Sequence, residues 1–574
     1  MKYMQEERGS IAVFLLICLL PMLMFEGLIL DGVRLLACKG NVADAGQLAL
    51  NGALAGYNRD LKNAYGLYAI TDVDQARKDA SDYFRRTVDP QGSGVSGTED
   101  TSSFLSMSAG VDAGGQEGSE LSSTDVLETQ IYHQMHYFTS TAKEELKYTY
   151  DGTEALYGAY VLIRDKCLFD RELSILARRK NRSVSYLASL YDSWEKCVTM
   201  VEVSENMRTR MQEELDEAKL LLEVMQTRYE ERNKALDELS EEGLLTDELT
   251  EQFIDTDPEE EPPSEAAEKK DSELRTMFAY GDMEHTTFSN FSERYTDIES
   301  DITPDWTDVI LDANGSYDEM LDDCLSTLGT QAIRYGSGYA RSIKSMVEFG
   351  GSIEECTALY ASTMFSCYIS PTKSLTGNNH FRDGGLLSKN AYSEIEYILC
   401  GGADPNKNVQ YCMRALQGYL TMWCMVENYM TDTVDRNDAL QNAEILADGT
   451  SLAIPYFQDL FLMANAVQRG WEKMNQTLSK EGGYCCSIYQ GHAVRNMDYQ
   501  MFLQLLLFRD MYNNYWVYLK RIRSVIEMNM QYAGYTNFSF DTAYTMLWID
   551  AEVEVPTLLL PKQIWHYKNI AVLE

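Results

Sequence analysis

Residues 11–30 form one apolar run, IAVFLLICLLPMLMFEGLIL, directly behind the polar leader MKYMQEERGS. A helix of that length rises about 30 Å, the thickness of a bilayer's hydrocarbon core. Thirteen of the twenty residues are Leu, Ile, Phe or Val. Each favours insertion by roughly 0.3–0.6 kcal/mol, enough together to outweigh one off-centre acid, Glu26. The run therefore reads as a transmembrane helix. The next best stretch, FLQLLLF at 502–508, is too short to span and is broken by Gln504, so the chain after Leu30 reads as water-soluble. A retained anchor fits better than a signal peptide, because Phe25-Glu26-Gly27 is a poor cleavage site. Leu35-Leu36-Ala37-Cys38 looks like a lipoprotein box, but Asp31 and Arg34 separate it from the apolar core. Lys2 and Arg8 before the run are balanced by Arg34 and Lys39 after it, which leaves no charge bias to set orientation. A short amino-terminal stub with an extracytoplasmic body is the simpler topology.

The residues around this run resemble a family. Arg8-Gly9-Ser10-Ile11-Ala12-Val13, Leu20-Pro21-Met22-Leu23, GLILDGVR at 27–34 and Val42-Ala43-Asp44-Ala45-Gly46-Gln47-Leu48-Ala49-Leu50 are similar to the amino-terminal signature of TadE/TadG-like minor pseudopilins of tight-adherence (Flp-type) pilus systems in bacteria. The likeness covers about the first seventy residues and closes with Asn63-Ala64-Tyr65-Gly66-Leu67-Tyr68-Ala69. The tyrosine-rich body, Asn529 and the ending over 538–555 look similar to large TadE/TadG-related surface proteins of Gram-positive anaerobes. The resemblance implies a continuous helix that leaves the membrane and seats an outer domain. It also implies pilus or secretion-system proteins as partners. It makes Gly9 and Ser10 a candidate processing site, but prepilins carry a glutamate five residues into the mature chain and Phe14 stands there instead. That departure favours a retained component over a processed shaft subunit. Glu26 is an intramembrane acid with two readings: a functional carboxylate facing protein, or a side chain that snorkels to the outer headgroups.

Composition narrows the partners. A chain of 574 residues suggests roughly three to four domains. Its formal net charge of −40 argues against nucleic acid and against anionic lipid headgroups. Half of that charge lies in residues 201–300, with 30 acids against 10 bases, and reads as a solvated face or linker. Ten of the twelve cysteines lie beyond the apolar run and its flank, an even number that permits disulfides without fixing their connectivity.

The expected architecture is mainly α, and it divides as follows. A leader (1–10) and the transmembrane helix (11–30) lead into an amphipathic pseudopilin-like stalk (31–88), with helix expected to about Tyr83. A Gly/Ser-rich segment (89–125) contains one strand, where Leu105, Met107, Ala109 and Val111 alternate with small polar residues. A helical, coiled-coil-like region (126–250) carries Leu187, Tyr191, Trp194, Val198 and Val201, then Met211, Leu215, Ala218, Leu222, Met225 and Tyr229, at heptad spacing. Its partner helix is either internal or on another copy of the chain, so a homo-oligomer stays open. An acidic linker (251–272) precedes a helical ectodomain (273–530) and a carboxyl-terminal strand region (531–574). There Ile549, Ala551, Val553 and Val555 alternate with Asp550, Glu552 and Glu554, and the natural sheet partners are 105–111 and 538–540.

No catalytic pattern emerges, and no cofactor, metal site or enzymatic activity is expected. His133 and His136 stand three apart on a helix without an HExxH pattern. Asp312-Ala313-Asn314-Gly315 misplaces the glycine of a calcium loop, Gly384-Gly385 and Gly401-Gly402 lack a phosphate-loop lysine, and neither CxxC nor GxSxG occurs. The sequence points to a non-enzymatic single-pass surface protein that assembles, tethers or displays a tight-adherence-type pilus or related machine. The alternative is a membrane-anchored binding module, unrelated to pili, whose acidic ectodomain captures a cationic or aromatic partner.

Overall fold

The computed structural model describes residues 3–88, 107–136, 139–178, 182–201, 203–246, 263–279, 352–368, 393–402, 405–430, 434–479, 484–487 and 496–573. Among these the chain is mainly helical, with a small three-stranded antiparallel sheet and a separate two-stranded hairpin. In chain order the elements begin with α1 (Tyr3–Leu54), α2 (Arg59–Tyr65), α3 (Val73–Val88), β1 (Ser108–Gly115) and α4 (Thr124–His136). Next come α5 (Thr139–Arg178), α6 (Ser185–Met200), α7 (Glu205–Glu241), α8 (Glu265–Ala279), α9 (Ile353–Met364) and α10 (Glu394–Cys400). Then follow α11 (Pro405–Met430), α12 (Val434–Ala447), α13 (Ile454–Ser479), β2 (Tyr484–Ser487), β3 (Asn496–Asp498), α14 (Tyr499–Tyr532), β4 (Met546–Val555) and β5 (Gln563–Val572). The chain splits into two compact units, one from the described residues of Met1–Gln134 and Val525–Glu574, the other from those of Met135–Gly377 and Leu387–Ser524.

In the first unit, α1 changes character along its length. From Val13 to Leu30 its apolar side chains are exposed, whereas from Asp31 onward one face is covered. The covered positions Asp31, Arg34, Cys38, Val42, Ala45, Ala49 and Ala53 recur every three or four residues, the period of one helix face. They pack against α3, through Ala76, Ala80, Phe84 and Val88, and against the inner face of β4. Leu547, Ile549, Val553 and Val555 of that face each contribute about 1.5–3 kcal/mol of burial. Strand order is β1-β4-β5, with Val111 opposite Ala551 and Ala551 opposite Tyr567.

Several expectations are corrected here. The stalk helix stops at Leu54; Gly56 follows, and the chain turns back through α2 and α3, so 31–88 is a helix plus a return rather than one rod. The expected pairing of the 105–111 region with 549–555 is present, but the strand is shifted to Ser108–Gly115, and Leu105 lies outside the described residues. Phe538–Phe540 supplies no strand. Phe540 starts a 3-10 turn and is buried, and the third strand is β5, whose weak alternation hid it.

The second unit is a helical core. α11 and α12 pack on α13, α8 covers α12 and α13, and α5 packs on α6 and α11. The heptad positions Leu187, Tyr191, Trp194 and Val198 of α6 and Met211, Leu215, Ala218, Leu222 and Met225 of α7 are buried. These two helices, joined by four residues, pack on one another. The expected linker ends early: Glu265–Asp271 already belong to α8, held down by buried Ala267, Leu274 and Phe278. The helical stretch 273–530 also contains an unexpected hairpin, β2 with β3. The apolar run at 502–508 is core of this unit, with Phe502, Leu503, Leu505, Leu506 and Leu507 fully buried.

Candidate functional site

Where the exposed apolar half of α1 meets its seated half, the loop between β4 and β5 folds over the helix. Asp31, on the first covered turn, accepts hydrogen bonds from three successive backbone amides: Leu558 at 2.8 Å, Leu559 at 2.8 Å and Leu560 at 3.1 Å. The amides, led by that of Leu558, hold the Asp31 carboxyl below its usual range against an opposing effect of burial, with Arg34 adding to the pull. Thr557 Oγ1 donates to the Leu560 carbonyl at 2.5 Å, closing the loop on itself. Leu559 rests directly on Gly27, leaving no room for a side chain there. Leu558 and Leu559 nevertheless keep 63% and 48% of their surface exposed.

The residues that carry the family resemblance converge on this unit. Ala45 and Gly46 face the sheet, and the Tyr567 ring occupies the space a side chain at Gly46 would need. The Tyr567 hydroxyl donates to the Ala43 carbonyl at 3.3 Å, while the Ala43 and Asp44 side chains are exposed. Small residues at 45, 46 and 49 thus let an aromatic strand lie close to the helix. Tyr65 is buried, and its hydroxyl accepts from Asn529 Nδ2 at 2.7 Å. Gly66 takes the left-handed conformation (φ 68°) that ends α2, and Gln134 lies against it. Ile70 and Tyr544 exchange backbone hydrogen bonds. Pro21 lies inside α1, which continues through it, and Glu26 is exposed one residue before Gly27. Gly9 and Ser10 belong to α1, whose side chains are described only from Val13 onward. Asp31 and the 556–562 loop escaped sequence reasoning, although an acid at the end of an apolar run, within GLILDGVR, was the available signal.

The second unit holds a buried ionic cluster. Lys166 of α5 donates to Asp170 at 2.5 Å and to Asp459 of α13 at 3.2 Å. Asp459 also accepts from the Tyr429 hydroxyl of α11, and Cys167 Sγ lies 3.6 Å from that hydroxyl. Burial opposes the Lys166 charge, but Asp170, Asp459 and Glu214 override it and raise its pKa. Burial pushes the Asp170 carboxyl up to about 7 despite Lys166. One ammonium facing two carboxylates leaves a charge uncompensated, and in a dry core proton uptake is the cheapest remedy. Elsewhere in this unit, burial lifts Glu396 to about 8, although its Oε1 accepts from the Tyr368 amide at 2.9 Å. Arg521 closes the end of α10 through the Ile398 and Leu399 carbonyls at 2.9 and 2.8 Å. The loop at Gly401-Gly402 is clamped by Asn408, which both accepts from and donates to the Gly402 backbone.

Among the described residues no three His, Cys, Asp or Glu side chains are placed to hold a metal ion. His133 is exposed on α4, and the Asp312–Gly315 and Gly384-Gly385 segments lie outside the described residues. Cys400 and Cys412 are buried thiols 4.0 Å apart. Comparison with models of known protein families, with curated proteins and with solved structures returns no match in any of the three.

Proposed function

We propose that this chain is a non-enzymatic, single-pass membrane protein of the TadE/TadG-like kind, with its body on the outer side. Its role would be to assemble, tether or display a tight-adherence-type pilus or a related secretion machine. The observation that carries this reading is α1 itself: one helix of 52 residues, exposed and apolar in its first half and seated against a sheet in its second. An exposed apolar surface of that extent is tolerated in lipid and not in water. Further support comes from the resemblance residues, since the small positions of the 42–50 segment receive β5 and Tyr65 meets Asn529.

Three measurements test separate parts of the proposal. Protease added to intact, wall-stripped cells should degrade the body and leave a membrane-bound fragment containing residues 11–30; full protection until the membrane is opened would place the body inside and end the reading. Deleting the gene in its native host should abolish a tight-adherence-type pilus or the secretion it serves. Intact pili alongside an exposed body would leave the membrane-anchored binding module as the surviving account. Mass spectrometry of the membrane-bound protein should find residues ahead of Ser10 retained, because Phe14 replaces the prepilin glutamate. Ser10 as the first residue would make it a processed pseudopilin.

A further inference from the structure

The loop joining β4 to β5 has unusual donor accounting. Pro556 and Pro561 carry no backbone N–H, the amides of Leu558, Leu559 and Leu560 are all taken by Asp31, and the Thr557 hydroxyl is spent on the Leu560 carbonyl. With these donors already held, that part of the loop can leave water without stranding them. Its side chains carry the opposite message for a water-exposed turn, because Leu558 and Leu559 point outward at 63% and 48% exposure. Turns at a protein–water boundary favour Gly, Asn, Asp and Ser, whereas this one reads PTLLLP.

The position of the loop completes the argument. Leu559 sits on Gly27, four residues before Asp31 and inside the apolar run. Four residues of helix rise about 6 Å, so the loop reaches back along the last turn of that run. On the same face of α1 as Gly27 stand Leu23, Met24 and Leu30, with exposures of 55%, 54% and 47%. The loop's leucines are continuous with this surface. Any environment that covers the end of the apolar helix covers the loop too.

We propose that the Pro556–Lys562 loop is a second membrane-contact element, with Leu558 and Leu559 dipping into the headgroup–acyl boundary of the bilayer that α1 enters. The occupant is the lipid itself, and Asp31 is the positioning residue that fixes the loop to the helix. This rests on the spanning reading of α1 and adds to it a fixed depth and tilt for the first unit, since one helix alone leaves rotation and tilt free.

The test uses the full chain reconstituted in phosphatidylcholine vesicles whose acyl chains carry bromine, a short-range quencher of tryptophan. Three single variants are compared with the unsubstituted protein, and the added emission is read by difference. Leu558→Trp reports the loop and Leu20→Trp the middle of the apolar run. Glu117→Trp reports the turn beside Met546, at the far end of β4, about 30 Å from the loop at strand rise. All three sites are exposed, so folding is preserved. The expected result is that Leu558→Trp and Leu20→Trp lose most of their added emission while Glu117→Trp keeps it. Quenching at 20 without quenching at 558 overturns the loop proposal and leaves the spanning helix intact. No quenching at either site overturns both. Quenching at 558 but not at 20 supports lipid contact by the loop and removes the spanning reading. Equal quenching of all three overturns the proposal, because contact would then not be specific to the loop.

Discussion

The two units bury carboxylates by opposite means. In the first, Asp31 is surrounded by three backbone amides, and its proton affinity falls. In the second, Asp170 and Asp459 share one lysine and Glu396 accepts from the Tyr368 amide, but burial outweighs these partners and the proton affinities of Asp170 and Glu396 rise. At Asp31 the fixed donors outweigh the cost of burial, whereas at Asp170 and Glu396 the cost of burial is the larger effect and sets the sign. Backbone amides suit this task because their orientation is set by the fold and carries no side-chain entropy. A lysine brings a full charge but only one, and the second carboxylate must draw on Tyr429 or on a proton.

The largest effect should come from placing a carboxylate in the first unit where no amides wait for it. Ile549 and Val553 are buried on the inner face of β4, so Ile549→Asp or Val553→Asp should each cost upwards of about 4 kcal/mol. Glu552→Lys, on the exposed face between them, should stay within about 0.5 kcal/mol. Hydrogen exchange over β1, β4 and β5 in the detergent-solubilised full chain reads this directly. Equal tolerance at all three positions would refute the claim that donors, rather than location, protect Asp31.

Removing the lysine tests the other side. Lys166→Met keeps the length of the stem and deletes the charge, leaving Asp170 and Asp459 facing each other in the core. The expected loss is about 3–5 kcal/mol, read as increased exchange in α5 and α13 with the sheet of the first unit unaffected. Adding Asp170→Asn should recover much of it, since the remaining carboxylate keeps the Tyr429 donor. No recovery would mean that Lys166 acts by packing.

The units should also respond to pH in opposite directions. Asp31 has a folded pKa below its ordinary value of 3.8, so its contribution is complete above that value and is lost as the pH falls through the lower folded pKa. Asp170 is raised to about 7, so the folded state holds a proton that the unfolded chain releases. Its contribution is favourable at low pH and declines as the pH climbs from about 4 to about 7. Protection factors, corrected for intrinsic exchange, should therefore fall in the 556–562 loop on acidification and in α5 and α13 on approach to neutrality. Asp31→Asn should flatten the first trend and Asp170→Asn the second.

Overpacking the helix–sheet contact gives a smaller effect. Gly46→Val drives a branched side chain into the Tyr567 ring, and overpacking of this kind costs about 1–3 kcal/mol. Tyr567→Ala in the same chain should relieve part of it, a coupling visible as increased protection of β5 relative to Gly46→Val alone.

How far the sequence disclosed these features follows from the range of the interaction involved. The alternation of Ile549, Ala551, Val553 and Val555 and the run at 11–30 are local periodic signals, and both appear in the fold as strand and apolar helix. The α6 and α7 core positions were legible for the same reason. What escaped is non-local. Lys166 and Asp459 are 293 residues apart, and Asp31 and Leu558 are 527 apart. No periodicity announces such pairs. Strand β5 was missed because both its faces carry apolar and polar residues together, with Ile564, Ile570 and Val572 exposed and Trp565 and Tyr567 turned to the core. The continuous stalk failed at Gly56 and Asn58, whose turn and helix-capping chemistry outweighed the amphipathic pattern running across them.

The smallest predicted effect supplies an uncharged reference for the comparison. Tyr65 and Asn529 are both buried in the first unit, 464 residues apart in sequence, and joined by a 2.7 Å hydrogen bond between neutral groups. Such a bond has no charge to desolvate, so it should be worth about 1 kcal/mol net, with a further penalty when one partner is left alone. Tyr65→Phe removes the acceptor and keeps the ring, whereas Asn529→Leu removes the donor at similar volume. A double-mutant cycle on these two substitutions should return a coupling of about 0.5–1.5 kcal/mol, the same at pH 5 and pH 8 because the bond joins a hydroxyl to an amide and no carboxylate. Coupling of that size without pH dependence, beside the opposed pH trends of Asp31 and Asp170, would show that the contrast between the units belongs to their carboxylates. A coupling near zero would mean that Tyr65 and Asn529 meet without holding each other, and the sequence likeness they share would then mark packing alone.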